Sequence, residues 1–373
     1  MKRQFGTTAW QVAPLGLALR AARTALICGE FGSTIERMLG EALATGCELL
    51  WLDIPPARDD IAFGNAAAPF DSATADLWKW LGAAVRTARA SDHVITAAAL
   101  APITAGPLEV AFPVEFVQRR VEQVLTASGL DVVPLVQLQV AANHARSDRY
   151  WGELHAAMQR LSREGKVMHW GVAVAPPPRQ PVRRPERERQ SDHDEFIDDF
   201  PDLLRDDIFV ALAVPFHLFG QSAARWLATT TELKRAVLAQ EPLCRGALAG
   251  EIGATTKFHR LDPRAQRWTS DDLHRMAIAV ARLAQSAKQL PPAVNSCDEA
   301  RAVVGQWQQA RSRNEGIEPA TTSVLELALR FVLSAAPLHA VVGARTAEQW
   351  RAALMAADPR LLPANLQQAL AQA

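Results

Sequence analysis

Lysine and tyrosine are both scarce. The chain holds six lysines among 40 basic residues, and its single tyrosine is Tyr150. Chemistry that leans on an amine or a phenol therefore has few residues to draw on. Cysteine is limited to Cys28, Cys47, Cys244 and Cys297, with no Cys-x-x-Cys pair. That pattern argues against a disulfide framework and suits free thiols in a reducing cytosol. The nine histidines form no His-x-His, His-Glu-x-x-His or Cys/His cluster, so no metal site is expected. Net charge is absent too: 40 basic residues balance 40 acidic ones, which leaves no field to attract nucleic acid or an anionic membrane. Apolar runs reach roughly ten residues, short of the ~20 a membrane span needs. The start, MKRQFGTTAW, lacks the apolar stretch of a signal peptide. The expectation is a cytoplasmic globular protein, with a hydrophobic fraction of 49% that is ample for a core.

What is present is a rhythm. Short apolar runs at Pro14–Leu19, Leu49–Ile54, His93–Leu100, Val132–Val140, His169–Val174, Ile208–Val214, Val237–Leu243 and Leu338–Gly343 are continuous in hydrophobicity instead of alternating. That marks strands buried on both faces, as in parallel sheets. Between them lie helical patterns, for instance Thr34–Ala44, where Ile35, Met38, Leu39 and Leu43 share a face. Gly129 reads as a helix stop and Ser270, before Asp271 and Asp272, as a helix cap. Eight strands with intervening helices predict one (β/α)8 barrel over residues 1–373, a length that leaves room for insertions. An open doubly wound sheet would want a glycine-rich loop after its first strand, and none is there.

One insertion stands out at 175–207. It opens on Ala-Pro-Pro-Pro, carries five Arg and two Glu between Arg179 and Arg189, then eight acidic residues between Asp192 and Asp207. Such a stretch has little to bury and is expected to be mobile, as a solvated loop or as an arm for a partner.

Six segments in order resemble the aldo-keto reductases. Phe5-Gly6-Thr7-Thr8 to Leu15-Gly16 resembles their N-terminal hairpin and first strand; Glu41 to Gly46 with Leu52-Asp53 resembles the helix and strand that deliver a catalytic Asp. Ser128-Gly129-Leu130-Asp131, Arg163-Glu164-Gly165-Lys166-Val167, Pro242-Leu243 with Gly246, Leu248 and Gly250, and Gly343-Ala344-Arg345-Thr346 complete the series. The resemblance implies a TIM barrel with an N-terminal β-hairpin and carbonyl reduction by NADP(H) without a metal. It also implies a Tyr acid tuned by a Lys, an Asp paired to that Lys, and a His that orients the carbonyl. A phenol near pKa 10 needs such a neighbouring cation to work at neutral pH.

Residue by residue the match is incomplete. Asp53 keeps the Asp role, while Arg58, Ala98 and Gln139 stand where the Tyr, Lys and His are implied. The polar groups that would hold the nicotinamide carboxamide are replaced by Ala173, Val174 and Ala213. For cofactor binding the resemblance still implies Phe216 on the nicotinamide ring, Leu243 and Gly246 after the seventh strand, Gly343 after the eighth, and Arg345, Thr346 and Gln349 on the 2′-phosphate. The Gly343–Thr346 stretch reads equally as a plain strand-to-helix turn capped by Thr346. Ala353 replaces an adenine-contacting Asn, and Glu241 replaces a Ser near the pyrophosphate, where a carboxylate would repel. Cys244 beside Arg245 invites a thiolate.

Three functional readings emerge. One is a catalytically degenerate barrel that binds a small molecule or docks a protein partner, with residual NADP(H) affinity. Another is an active NADPH-dependent oxidoreductase with a relocated acid, His144 or Tyr150 in the loop after the fourth strand. The third is different chemistry in the old pocket, with Arg58 and Asp53 holding a polar or charged ligand.

Overall fold

The computed structural model describes residues 2–55, 69–88, 94–104, 108–140, 148–174, 204–221, 223–287, 323–335 and 338–357. A hairpin comes first, β1 (Arg3–Gln4) pairing antiparallel with β2 (Gln11–Val12). Eight parallel strands come next: β3 (Leu15–Ala18), β4 (Leu49–Ile54), β5 (Ile95–Leu100), β6 (Val133–Val140), β7 (Val167–Val174), β8 (Phe209–Pro215), β9 (Ala236–Gln240) and β10 (Leu338–Gly343). They close in chain order, with β10 returning to β3. The fold is thus the expected (β/α)8 barrel. The hairpin packs at one end of it: Phe5 lies 5.3 Å from the His339 ring, and Trp10 meets His169 edge-on at 4.6 Å.

Alternation along each strand sorts side chains between two layers. Leu50, Leu52, Ala98, Leu100, Val136 and Leu138 point outward into the helix layer, against residues such as Leu77, Trp78 and Phe116. Trp51, Ala97, Ala99, Ala173, Ala211, Ala213, Ala236 and Leu238 form the inner cluster. Alanines dominate that inner set, and the volume they leave is filled by the Trp51 indole. Its Nε1 donates to Gln137 Oε1 at 2.7 Å, so the large ring carries no unsatisfied polar atom into the axis.

Helices occupy the intervals the periodicity marked, including α2 (Gly32–Ala44), α3 (Ser72–Thr87), α4 (Val114–Ser128), α5 (Asp148–Arg163), α6 (Ala224–Glu232), α8 (Ser270–Ala287) and α9 (Val324–Ser334). The periodicity did not mark α1 (Arg20–Ile27), the short α7 (Pro263–Arg267) or α10 (Ala347–Ala356). Helix α1 begins directly behind β3, at Leu19, with no side-chain cap to announce it. The cap of α8 is Thr269 and not Ser270. Thr269 and Asp272 exchange backbone-to-side-chain bonds at 2.8 and 3.2 Å, the reciprocal arrangement of a capping box. Of the charged insertion, residues 175–203 lie outside the described residues. Where the chain is described again, Leu204 is fully buried and its carbonyl accepts from Arg235 Nε at 3.2 Å.

One close approach fixes the helix layer. A Cβ placed on Gly82 in α3 would stand 1.8 Å from the Ser128 carbonyl oxygen of α4. That same oxygen accepts from Arg86 Nη1 at 2.6 Å, which locks the two helices at short range. Gly82→Ala is expected to force the helices apart at about 1–3 kcal/mol. Gly40→Ala, on the exposed face of α2 with open space around it, should instead stabilise by about 0.5–1 kcal/mol. Chemical denaturation of the two variants checks the opposite signs; equal effects would remove the claim of a tight α3–α4 contact.

Candidate functional site

The C-terminal mouth of the barrel is organised by Arg20, which stands two residues beyond the end of β3. Its Nη2 donates to Asp53 Oδ1 at 3.0 Å, its Nε to Asp53 Oδ2, and its Nη1 to Glu241 Oε1. The guanidinium lies 5.4 Å from the centre of the Trp51 ring, so the indole carries the cation on its face. Gln139 Nε2 completes the set, donating to Asp53 Oδ1 at 2.6 Å and to the Ala99 carbonyl at 3.2 Å. Glu241 is held from its other side by Arg245, at 2.6 and 2.8 Å.

The electrostatics derive from this pairing. Burial opposes ionisation of Glu241, but Arg245 and Arg20 outweigh it and hold the carboxyl down at about 2. Arg20 is correspondingly held in its charged form by Asp53 and Glu241 against the cost of burial. Glu241 is therefore not the bare repelling charge the sequence suggested; two guanidinium groups compensate it. Cys244 departs from expectation in the other direction. Burial, reinforced by the Glu241 charge, pushes its thiol up to about 12 despite the neighbouring Arg245, so it is no thiolate.

Asp53 and Gln139, both singled out in the sequence, meet at the mouth. Ala98 faces the helix layer, and the inward position paired in register with Asp53 is Ala99. Both positions are alanines, so neither puts an amine beside Asp53. By the same alternation Ala173 and Ala213 face the axis while Val174 faces outward. Arg58 and His144 lie outside the described residues, and Tyr150 falls in the first turn of α5, its side chain outside them too. Sequence reasoning missed Arg20, although a charged residue just past a barrel strand is where function collects in this architecture.

Beside the mouth opens a cavity of about 720 Å³, walled by the ends of β3, β9 and β10, the 241–264 segment and α10. Leu243, Gly246, Gly343, Arg345, Gln349 and Ala353 line it. Phe216 is buried elsewhere, stacked on Phe331 at 5.5 Å. Arg345 pairs with Glu30 at 3.1 Å and Glu251 at 3.6 Å. The Gln349 side chain accepts from Arg345 N at 2.8 Å and donates to Glu251. Thr346 caps α10, its hydroxyl accepting from Gln349 N at 3.3 Å. All three groups implied for the 2′-phosphate are thus engaged within the protein, and the carboxamide side offers methyl groups. The residues present fit NADP(H) poorly at both ends. Among the described residues no cluster of His, Cys, Asp and Glu could hold a metal, and no helix is long and apolar enough to cross a membrane.

Comparison with solved structures supports the architecture. The chain is similar to the holo form of an aldo-keto reductase from Bacillus halodurans, at 17% identity and a TM-score of 0.59, covering all of this chain and 95% of that one. It is similar to the glycerol dehydrogenase of Gluconobacter oxydans at 17% identity and a TM-score of 0.62, covering all of this chain and 94% of that one. No family model matches the chain, and no curated protein matches it. At such identity the likeness speaks for the fold.

Replacing Arg20 tests the network. Arg20→Met leaves two carboxylates near one another and should cost about 2–4 kcal/mol, toward the low end of a broken buried pair because the side chain is 31% exposed. The stability that Glu241 supplies is present above its unfolded value of 4.5 and lost as pH falls toward about 2. Denaturation across that window should show a shallower acid limb in Arg20→Met than in the parent; parallel limbs would detach Glu241 from Arg20.

Proposed function

We propose that this chain is a small-molecule-binding barrel of aldo-keto-reductase type that does not perform carbonyl reduction by the tyrosine–lysine route. The observation that carries this reading is the state of Asp53. Of the four implied roles it is the one retained, and its partners are a guanidinium and a primary amide. Neither gives up a proton near neutral pH. The neighbouring inward position, Ala99, supplies no amine.

The losses are large in kinetic terms. A positioned acid or base is worth about 10²–10⁴ in rate. Loosening the hydride donor by losing its carboxamide contacts costs a further ~10². These factors need not multiply in full, since groups acting as a unit are non-additive. In this reading NADP(H) affinity is residual, because Arg345 already has two carboxylate partners. The barrel binds its ligand without transforming it by that chemistry.

The test is NADPH oxidation with a panel of aliphatic and aromatic aldehydes and ketones. Rates should not exceed those of buffer with cofactor. Turnover well above that background, abolished by His144→Ala or Tyr150→Phe, would establish the relocated-acid oxidoreductase instead.

A further inference from the structure

The opposite end of the barrel carries a feature that apolar packing does not explain. Four rings run in a row across its floor: His339 of β10, Phe5 and Trp10 of the hairpin, and His169 of β7, with successive centres 5.3, 5.8 and 4.6 Å apart. Two barrel imidazoles thus grip the hairpin through its two aromatic rings. His339 is fully buried; its Nδ1 lies 3.3 Å from the Ala13 carbonyl oxygen, and its Nε2 makes no hydrogen bond. Native interiors satisfy nearly all such groups, so this ring stands out. His169, at the other end of the row, is half-buried.

The charges at this end leave a protonated imidazole without a partner. Arg3 of β1 donates to the carbonyls of Leu338 and Leu333, the latter at 2.8 Å, and has no carboxylate partner among the described residues. Glu48 is engaged by Lys2 and by Ala13 N at 3.0 Å. On the β9 side Arg235 pairs with Asp207 at 3.1 Å, and on α9 Arg330 pairs with Glu326 at 3.2 Å. Toward β7 and β8, Lys166 engages Glu122 and Glu164, and Asp206 engages His155 at 3.3 Å. Burial pushes His339 down from the usual 6.5 to about 4, and Arg3 adds to this against the Ala13 and Gln4 carbonyls; burial alone lowers His169. Contact with an aromatic face returns only part of that loss to a charged ring. An imidazole lowered in this way favours the docked hairpin above about 6.5 and withdraws its support as pH falls toward about 4.

We propose that the hairpin is an acid-released plug: protonation of His339 and His169 undocks Phe5 and Trp10 from the barrel floor while the eight strands stay closed. The hairpin is suited to local release. Its ladder is short, pairing Arg3 with Val12 and Gln4 with Gln11. A two-stranded ribbon by itself is marginal in water, so its order depends on the rings it docks against. Units of this kind open at a lower free energy than the whole fold.

Hydrogen–deuterium exchange on the full chain between pH 8 and pH 5, corrected for the intrinsic exchange rate, tests it. Protection of the hairpin amides, Phe5 N bonded to Trp10 O among them, should fall by about 30-fold, the effect of one imidazole lowered from 6.5 to about 4. Peptides from β4 to β6 should keep their protection. His339→Leu, which fills similar space and cannot ionise, should cut the response to about threefold or less. His169→Leu should reduce the response while leaving most of it. Hairpin protection that stays flat across this range overturns the proposal, as does a loss shared equally by the strands, or a response that both substitutions leave unchanged. The behaviour of the unmodified chain decides the matter even where a substituted chain fails to fold.

Discussion

The guanidinium of Arg20 joins two carboxylates that the barrel closure brings together from opposite sides of one strand pair. Asp53 is the penultimate residue of β4, Glu241 follows β9, and β10 and β3 lie between them in the sheet. Without a cation at that point the mouth would hold two partly buried negative charges, one beside Arg245 and the other beside the Gln139 amide. The position of the cation depends in turn on Trp51, whose ring supports it from below. Trp51 has room because the inward positions around it are alanines. A chain of dependence therefore runs from small residues on the strands, through one large ring, to one charge, and from that charge to the orientation of the polar groups bonded to it at the mouth.

The segment after β9 shows what this anchoring accomplishes. Glu241, Cys244 and Arg245 all have positive φ, at 54°, 46° and 56°, without being glycine. Each such residue costs on the order of 1–3 kcal/mol and persists only where its surroundings over-determine it. Here the surroundings are specific. Glu241 is held by two guanidinium groups, its carbonyl accepts from Cys244 N at 2.7 Å, and the Arg245 carbonyl accepts from Arg264 Nη1 at 3.2 Å. The strain in this cavity wall is thus offset by local ion pairs and backbone hydrogen bonds. It also explains why β9 stops at Gln240, three residues before the apolar run ends: a backbone in the left-handed region at Glu241 cannot continue a ladder.

The barrel was legible in the sequence because buried parallel strands write themselves as continuous apolar runs, and seven of the eight strands begin and end within two residues of those runs. The site was only half legible. Asp53 and Gln139 were found because they sit in strands, where counting is reliable. Ala98 faces the helix layer while its neighbour Ala99 stands in register with Asp53, since in a strand one residue reverses the face. Arg20 was invisible for a different reason. No periodicity marks an isolated arginine, and its importance arises only when β4 and β9, 188 positions apart from Asp53 to Glu241, close around it. The same holds for His339, whose unpartnered Nε2 is a property of packing and not of composition.

The cation that pairs with Asp53 is an arginine and not a lysine, and the difference matters. Both side chains can neutralise Asp53, but their chemistry differs. A lysine amine, when buried, shifts its pKa and can tune or exchange a proton, whereas a guanidinium remains charged at any pH the protein tolerates. A planar fork instead fixes geometry: Arg20 binds Asp53 with two nitrogens and Glu241 with a third. The cation at the mouth is therefore a group suited to holding positions. A pocket built in that way keeps its shape over a wide pH range, its donors and acceptors preorganised and its protons immobile.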